Sequence, residues 1–339
     1  LRAISQLPAR AQAGAEETNP IVDFDRTRLL AKVARLYYEQ DLTQAEISGR
    51  LRLSRQRVQR LLASAREEGI VTIAIRPIMG TFSELERSLE ARFGLSEALV
   101  VETSAPDDQD TIAREIGAGA AEYLTRILRP KDKVVLSWGN SLLGMVNALA
   151  SRSLIPMPEL RLIQGLGSLG DPNTAMHGAE LVRKAARALG ARQILFPAPA
   201  IAASTAVRDA LYADPYTCHT LEMARSADLA VVGIGASESD SVAVSDLWRL
   251  LPENSLSNLL AAGAVGSMNL RYFNADGAAV PSEINERVVG LNLDEIRSIP
   301  RVVGVAGGPS KLTAIRAALG AGLIHVLVTD QVTATGLVK

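Results

Sequence analysis

The sequence predicts an α/β protein in two parts, a small N-terminal winged helix-turn-helix and a larger doubly wound domain with a mostly parallel sheet. Three observations predict it. At 339 residues the chain is long for one domain. From residue 98 onward, short apolar runs alternate with Ala- and Leu-rich stretches of helical period, as strands alternate with crossover helices. Charge is unevenly placed: the net charge is −1, yet residues 26–66 hold ten Lys and Arg against only Glu39, Asp41 and Glu46. A basic module on a neutral-to-acidic body points to a polyanion bound at one end.

The elements follow in order. Residues 1–24 open with "LRAISQLPARAQAGAEETNP", which lacks the apolar centre of a signal peptide and reads as a flexible tail. Residues 25–79 form the helix-turn-helix unit. "RTRLLAKVARLYYEQ" is a helix with Leu29, Leu30, Val33, Ala34 and Tyr37 along one side. Thr43 followed by Glu46 is a capping box, so a second helix begins there with Ala45, Ile47 and Leu51 inward. The chain breaks at Arg52–Leu53. Ser54 caps a third helix, which buries Val58, Leu61, Leu62 and Ala65 and ends at Gly69. Arg55, Gln56, Arg57, Gln59 and Arg60 lie off that apolar face, the first three in the opening turns, where a recognition helix meets base edges in the major groove. Thr43 and Gln44 are placed for backbone contacts. An Arg cluster alone is more often a solvated face. Here capping, turn, periodicity and charge agree, and they point to DNA. "IVTIAIRP" (70–77) alternates like a strand and is the expected wing.

Residues 80–339 make the α/β body. "SELERSLEARFG" is a helix whose Phe82, Leu85, Leu89 and Phe93 form a stripe, best placed in the core. Strands are expected at "ALVVE", "KVVLSW", "LRLIQG", "QILFPA", "LAVVGIG", "RVVGVAGG" and "IHVLVTD", with helices such as "SLLGMVNALAS" and "GAELVRKAARALG" between them. Ligands of such sheets sit at the carboxyl ends of strands. Two ends carry anion-friendly loops: Gly139-Asn140-Ser141, and Gly307-Gly308 with Ser310 and Lys311 at a helix start. A third end, "LIQGLGSLG", has the G-x-G-x-x-G spacing of a dinucleotide turn at Gly165, Gly167 and Gly170. However, Asp171-Pro172-Asn173 delays the helix, and no acidic residue ends the next strand. Those glycines are expected to bring backbone close to a ligand instead.

Catalytic patterns are poor. His177, His219 and His325 are scattered, and Cys218 beside His219 has no partner pair, so neither a metal nor a cofactor is expected. The single cysteine cannot close an internal disulfide and fits a reducing compartment. With no apolar stretch long enough to span a bilayer, the expected location is the cytoplasm, away from membranes.

The arrangement resembles the SorC family (SorC/DeoR type) of bacterial sugar-responsive transcriptional regulators, over nearly all of residues 25–339. The resemblance is carried by "LTQAEISGRL-RLSRQRVQRLL…EEGIV" and then by "SWGNSL", "LFPAPAIAAS", "VRDALYADP", "LEMARSADLAVVGIG", "AAGAVGS", "RYFNADG", "INERVVGLNLDEIRSIPRVVGVAGGPSKLTAIRAAL" and "VLVTDQVTA" in the family's order. It implies an effector domain similar to phosphosugar isomerases, without catalysis, that binds a sugar, polyol or sugar phosphate. It also implies a homodimer or homotetramer on near-palindromic operator DNA, controlling carbohydrate or polyol catabolism. Position by position, the Gly139-Asn140-Ser141 and Gly307-Gly308…Lys311 loops match phosphate and sugar contacts, and Gln164-Gly165 opens another pocket loop. Gly266-Ser267-Met268-Asn269 matches a pocket stretch in which the family often has Asp at the position of Ser267. Asn140-Ser141 stands where two Thr are common, and Arg52 where the turn commonly has Gly, adding a phosphate contact. The rival is a sugar-phosphate isomerase with an appended DNA-binding arm; Ser267 removes one carboxylate that such an enzyme would use.

Overall fold

The computed structural model describes residues 20–73, 82–168, 178–237, 251 and 254–339, with side chains from residue 25 onward. The chain divides into two units, Leu1–Pro77 and Ile78–Lys339.

Among the described residues the first unit has three helices: α1 (Pro20–Tyr38), α2 (Gln44–Leu51) and α3 (Arg55–Glu67). Leu30, Val33, Leu36, Ile47, Val58 and Leu62 are buried between them. Local chemistry sets each boundary. The Thr43 hydroxyl accepts from the Glu46 N–H, while the Glu46 carboxylate accepts from Thr43 N at 2.8 Å, closing the expected capping box. That bonding, first to the Thr43 side chain and then to its backbone, holds the Glu46 carboxyl below its ordinary range. At the other end of α2, Arg52 adopts a left-handed conformation, φ 52°, its N–H shared by the Ser48 and Gly49 carbonyls. Ser54 caps α3 by accepting from Arg57 N at 3.2 Å, and Gly69 follows α3 at φ 73°. Two expectations are corrected. Ala45 is exposed, because the short α2 buries only Ile47 fully. Residues 70–73 form no strand, and the rest of the expected wing, 74–77, lies outside the described residues.

The second unit is the doubly wound sheet. Its helices and strands are α4 (Ser83–Phe93), β1 (Glu97–Val101), α5 (Gln109–Ile127), β2 (Lys133–Leu136), α6 (Asn140–Ala150), β3 (Arg161–Gln164), α7 (Gly178–Leu189) and β4 (Arg192–Ile194). The chain continues through α8 (Thr205–Ala213), α9 (Pro215–Arg225), β5 (Leu229–Ala236), α10 (Ser255–Ala261), β6 (Gly266–Met268) and β7 (Arg271–Phe273). It closes with α11 (Glu283–Arg287), α12 (Leu293–Arg297), β8 (Val302–Val305), a 3₁₀ turn (Pro309–Lys311), α13 (Leu312–Gly320), β9 (Val326–Asp330) and α14 (Gln331–Val338). Strand order is β1-β9-β8-β5-β2-β3-β4, all parallel, with β6 and β7 antiparallel beyond the end of β5.

Alternation along the strands feeds two cores. Val135, Val232 and Leu327 face α4, α9, α13 and α14, whereas Val134, Leu136 and Val326 face α5, α6 and α7. On the second side α5 and α6 touch backbone to backbone. A Cβ on Gly117 would lie 2.5 Å from Met145 N, and one on Gly144 2.7 Å from Ala113 O. The Leu89 stripe of α4 is core, as expected. The flank of α4 beside that stripe does a second job: Glu86 and Glu90 accept from Val100 N and Ala98 N at 2.9 and 3.0 Å. Those N–H groups sit on the outer edge of β1, so the carboxylates close an edge that would otherwise template another strand.

Two strand expectations need revision. "QILFPA" gives only the three-residue β4, because the Phe196 N–H turns to the Gln164 side chain and Pro197 and Pro199 have none to give. The β6–β7 hairpin was not foreseen. It turns on Asn269 and Leu270, both at positive φ (54° and 60°), where a two-residue hairpin turn usually carries glycine. Among the described residues no helix is long and apolar enough to cross a membrane.

Candidate functional site

The surface of the first unit is set by what α3 does not bury. Arg55, Gln56, Arg57, Gln59 and Arg60 are all exposed, as are Thr43, Arg52 and Ser54, while Gln44 is half-buried at the start of α2. Arg26 pairs with Glu68 at 2.5 Å and Arg35 with Glu39 at 3.3 Å. Arg52, Arg55, Arg57 and Arg60 make no ion pair among the described residues. Four unneutralised guanidinium groups thus stand on and beside one helix, next to glutamines able to make paired hydrogen bonds to adenine.

In the second unit the topology fixes where a ligand fits. From β2 the chain winds outward to β3 and β4, but from β5 it winds the other way, to β8 and β9. The crevice therefore opens at the carboxyl ends of β2 and β5. β2 is followed by Ser137-Trp138-Gly139. Gly139, at φ 127°, leads into α6 with no side chain capping its first N–H groups. Asn140 is half-buried and Ser141 buried in that first turn.

Beyond β8 lies Gly307-Gly308. The Gly308 N–H is taken by Asp330 Oδ2 at 2.9 Å and Thr333 Oγ1 at 2.8 Å, and Gln109 Nε2 donates to the Gly307 carbonyl at 3.0 Å. A Cβ on Gly307 would lie 2.3 Å from Asp330 Oδ2. These glycines serve a backbone clamped by its own neighbours. Lys311, two residues past Pro309, ends the turn. It is half-buried, its ammonium has no partner among the described residues, and burial pushes its amine down to about 8.

Gln164, at the end of β3, is wholly buried. Its Oε1 accepts from Phe196 N at 3.1 Å, and its Nε2 has no partner among the described residues. Gly165 and Gly167 are closely engaged with protein. The Gly165 carbonyl accepts from Asn269 Nδ2 and Leu291 N, Gly167 N donates to Val289 O, and a Cβ on Gly167 would lie 2.3 Å from Pro199 O. Gly170 and His177 lie outside the described residues, and the next described helix opens only at Gly178.

The β6 stretch divides by face. Ser267 is half-buried opposite Gly235. Met268 is 1% exposed and belongs to the core. Asn269 is a clamp: Ser137 Oγ donates to its Oδ1, and its Nδ2 donates to Gly165 O and Leu291 O, each at 3.1 Å. The side chains of Met268 and Asn269, expected as ligand contacts, are thus spent on packing and on tying β2 to β3. Sequence reasoning passed over Ser237. It is buried just past β5, beyond the stretch that pairs with β6, and its hydroxyl has no partner among the described residues; its place after a strand was the available signal.

Comparison with known proteins agrees with this geometry. The family described as "Putative sugar-binding domain" matches residues 78–339. The deoxyribonucleoside regulator of Bacillus subtilis is 30% identical over 319 residues, covering 94% of this chain and 99% of its own. The sorbitol operon regulator of Klebsiella pneumoniae is 31% identical over 316 residues, covering 93% and 99%. The crystal structure of that full-length regulator, SorC, superposes with a TM-score of 0.70 over 93% of this chain and 100% of its own, at 30% identity. Matched along nearly its whole length in both sequence and fold, the chain belongs to the SorC family.

Proposed function

We propose that this protein is a DNA-binding transcriptional regulator of a carbohydrate or polyol catabolic operon, its operator affinity set by a small sugar, polyol or sugar phosphate. Residues 25–79 are the DNA-binding part and residues 80–339 the effector and oligomerisation part. Arg55, Gln56, Arg57, Gln59 and Arg60 face the bases, with Thr43, Gln44, Arg52 and Ser54 at the backbone. The reading is supported by relatives named as regulators along almost the entire chain and by Arg52, Arg55, Arg57 and Arg60, which are exposed and make no ion pair among the described residues.

The effector lies at the ends of β2, β3, β5 and β8, against Gly139, Asn140, Ser141, Gln164, Ser267 and Lys311. The observation that carries this is Lys311: among the described residues its half-buried ammonium has no counter-charge, which is costly to keep, and an anion would supply a partner. Gln164 Nε2 and Ser237 Oγ, both buried and without a partner among the described residues, are further polar atoms beyond the ends of β3 and β5. No catalysis is assigned. Asp330, at the end of β9, has its carboxylate committed to Gly308, Val332 and Thr333, which favours a binding protein over the isomerase.

A thermal-shift screen of the full chain against phosphorylated sugars, free sugars and polyols tests the reading. A ligand at 100 times its Kd adds about 2.7 kcal/mol. The expected result is a shift with a phosphosugar that Lys311→Ala removes, together with an altered mobility shift on DNA from upstream of its own gene. A protein that retards no such DNA, with or without the ligand, sinks the proposal.

A further inference from the structure

We infer that Gly233 and Gly235 of β5 are the floor of the effector crevice, on which a sugar ring or an extended polyol lays its flat C–H face. The inference deepens the effector reading proposed above and rests on it. Among the described strands β5 is the central one, with three parallel strands on either side. Its Val231, Val232 and Ile234 are at most 2% exposed, as befits a strand covered on both faces. Gly233 and Gly235 are only half-buried. Alternation sets them on the side of Val231, toward α5, α6 and α7, while Val232 and Ile234 face the other core.

None of the usual structural reasons for a strand glycine holds here. Neither residue is at positive φ. The ladder runs without a bulge, Ala230–Gly233 against β8 and Ile234–Ala236 against β6. Nor does packing exclude a side chain. A Cβ on Gly304 of β8 would lie 2.7 Å from Ile324 Cδ1, and one on Gly165 2.9 Å from Val135 Cγ1. Among the described residues, by contrast, a Cβ on Gly233 would meet only Trp138 O, at 3.2 Å, and one on Gly235 only Ser267, its Oγ at 3.3 Å. Both neighbours belong to chain that runs alongside β5, one just past β2 and the other in β6. The use that remains for a strand glycine is close approach by a ligand.

The surroundings of the strip name the ligand class. α6, which opens at Asn140, and the 3₁₀ turn that carries Lys311 both lie against β5, so both anion-friendly loops border the strand. The peptide groups of β5 point sideways into their ladders and offer no hydrogen bond upward. What a ligand meets is Cα–H groups and peptide faces. Its matching surface is a flat face of C–H groups, with hydroxyls and any phosphate turned to the rim. Two residues of strand advance about 6.6 Å, the scale of a single monosaccharide.

Isothermal titration calorimetry of the full chain tests the floor, with glucose 6-phosphate, ribose 5-phosphate, sorbitol 6-phosphate and sorbitol as ligands. The wild type is expected to bind at least one of them. Gly233→Ala and Gly235→Ala are each expected to bind it about 10-fold or more weakly, because the methyl overfills the contact. Their Tm is expected to equal or exceed that of the wild type, since alanine restricts the unfolded chain and its methyl needs a shift of only a few tenths of an ångström. Glycines kept for the fold alone predict the reverse, a lower Tm with affinity intact. A second arm needs no ligand: in a Cys218→Ser background, Gly235→Cys is expected to react with methyl methanethiosulfonate in the folded protein. A thiol that reacts only after denaturation overturns the inference. So do Ala variants whose affinities stay within about 3-fold of the wild type, or whose Tm falls together with the affinity; the effector reading survives each of these. A wild type that binds none of the ligands counts against the effector reading itself, and the floor falls with it.

Discussion

Lys311 is held at a cost to the fold. Its amine titrates near 8 rather than 10.5 because burial disfavours its charge. Below about 8 both folded and unfolded chains hold the proton, and the fold bears the full desolvation cost. Between about 8 and 10.5 the folded protein releases the proton while the unfolded chain keeps it, so stability rises with pH across that window. Lys311→Met is expected to stabilise the ligand-free protein by about 1–3 kcal/mol at pH 7. It should also flatten the rise between pH 8 and 10, as read from urea unfolding at both pH values. A bound phosphate would draw the proton back onto the amine, so phosphosugar affinity is expected to fall as pH climbs above 8, by titration calorimetry. The position of Lys311 at a helix start was legible in the sequence. The fates of Met268 and Asn269 were not, because a residue's face on a three-residue strand depends on pairing partners far along the chain. Asn269 reads as a pocket residue until Ser137, Gly165 and Leu291 are seen to occupy its amide.

At the scale of elements, the helices were legible because their signals are local. Thr43 with Glu46, and Ser54 before a 3.6-residue apolar period, declare α2 and α3 without help from distant residues. The β6–β7 hairpin was hidden because Asn269-Leu270 lacks the glycine that advertises such a turn, and burial of Leu270 and the Asn269 clamp hold it instead. Arg52 is the comparable case in the first unit. It is exposed and left-handed where glycine is easier, so Arg52→Gly is expected to stabilise this unit by about 1 kcal/mol. In the regulator reading it also removes a phosphate contact, and DNA affinity should drop at all sequences alike, with a shallower salt dependence. Thermal denaturation and mobility shifts at two salt concentrations measure the two effects separately. Thr43→Ala is the opposite control: loss of the capping box should cost about 1 kcal/mol of stability.

For the whole molecule, regulation requires that effector and operator each change the affinity for the other. The two factors must be equal, because binding free energies close a thermodynamic cycle. An ordinary coupling of about 1–3 kcal/mol predicts a 5- to 150-fold change. Calorimetric titration of effector with and without saturating operator DNA should return the same factor as operator titrations with and without effector. Tyr212 gives a way to weaken that coupling without touching either ligand. Its hydroxyl joins α8 to residues 288–290, which bridge Leu166 beside the crevice. Tyr212→Phe keeps the ring and deletes the bonds of the hydroxyl, including the one it accepts from Gly290 N and its contact with Arg271. Effector binding to the free protein is expected to stay within about 3-fold, since a hydrogen bond of this kind contributes roughly 0.5–1.5 kcal/mol. The coupling factor is expected to shrink, and by the same amount in both titrations. If it shrinks in neither, communication runs through other contacts; if effector affinity collapses while the factor survives, Tyr212 shapes the crevice and does not connect it to α8.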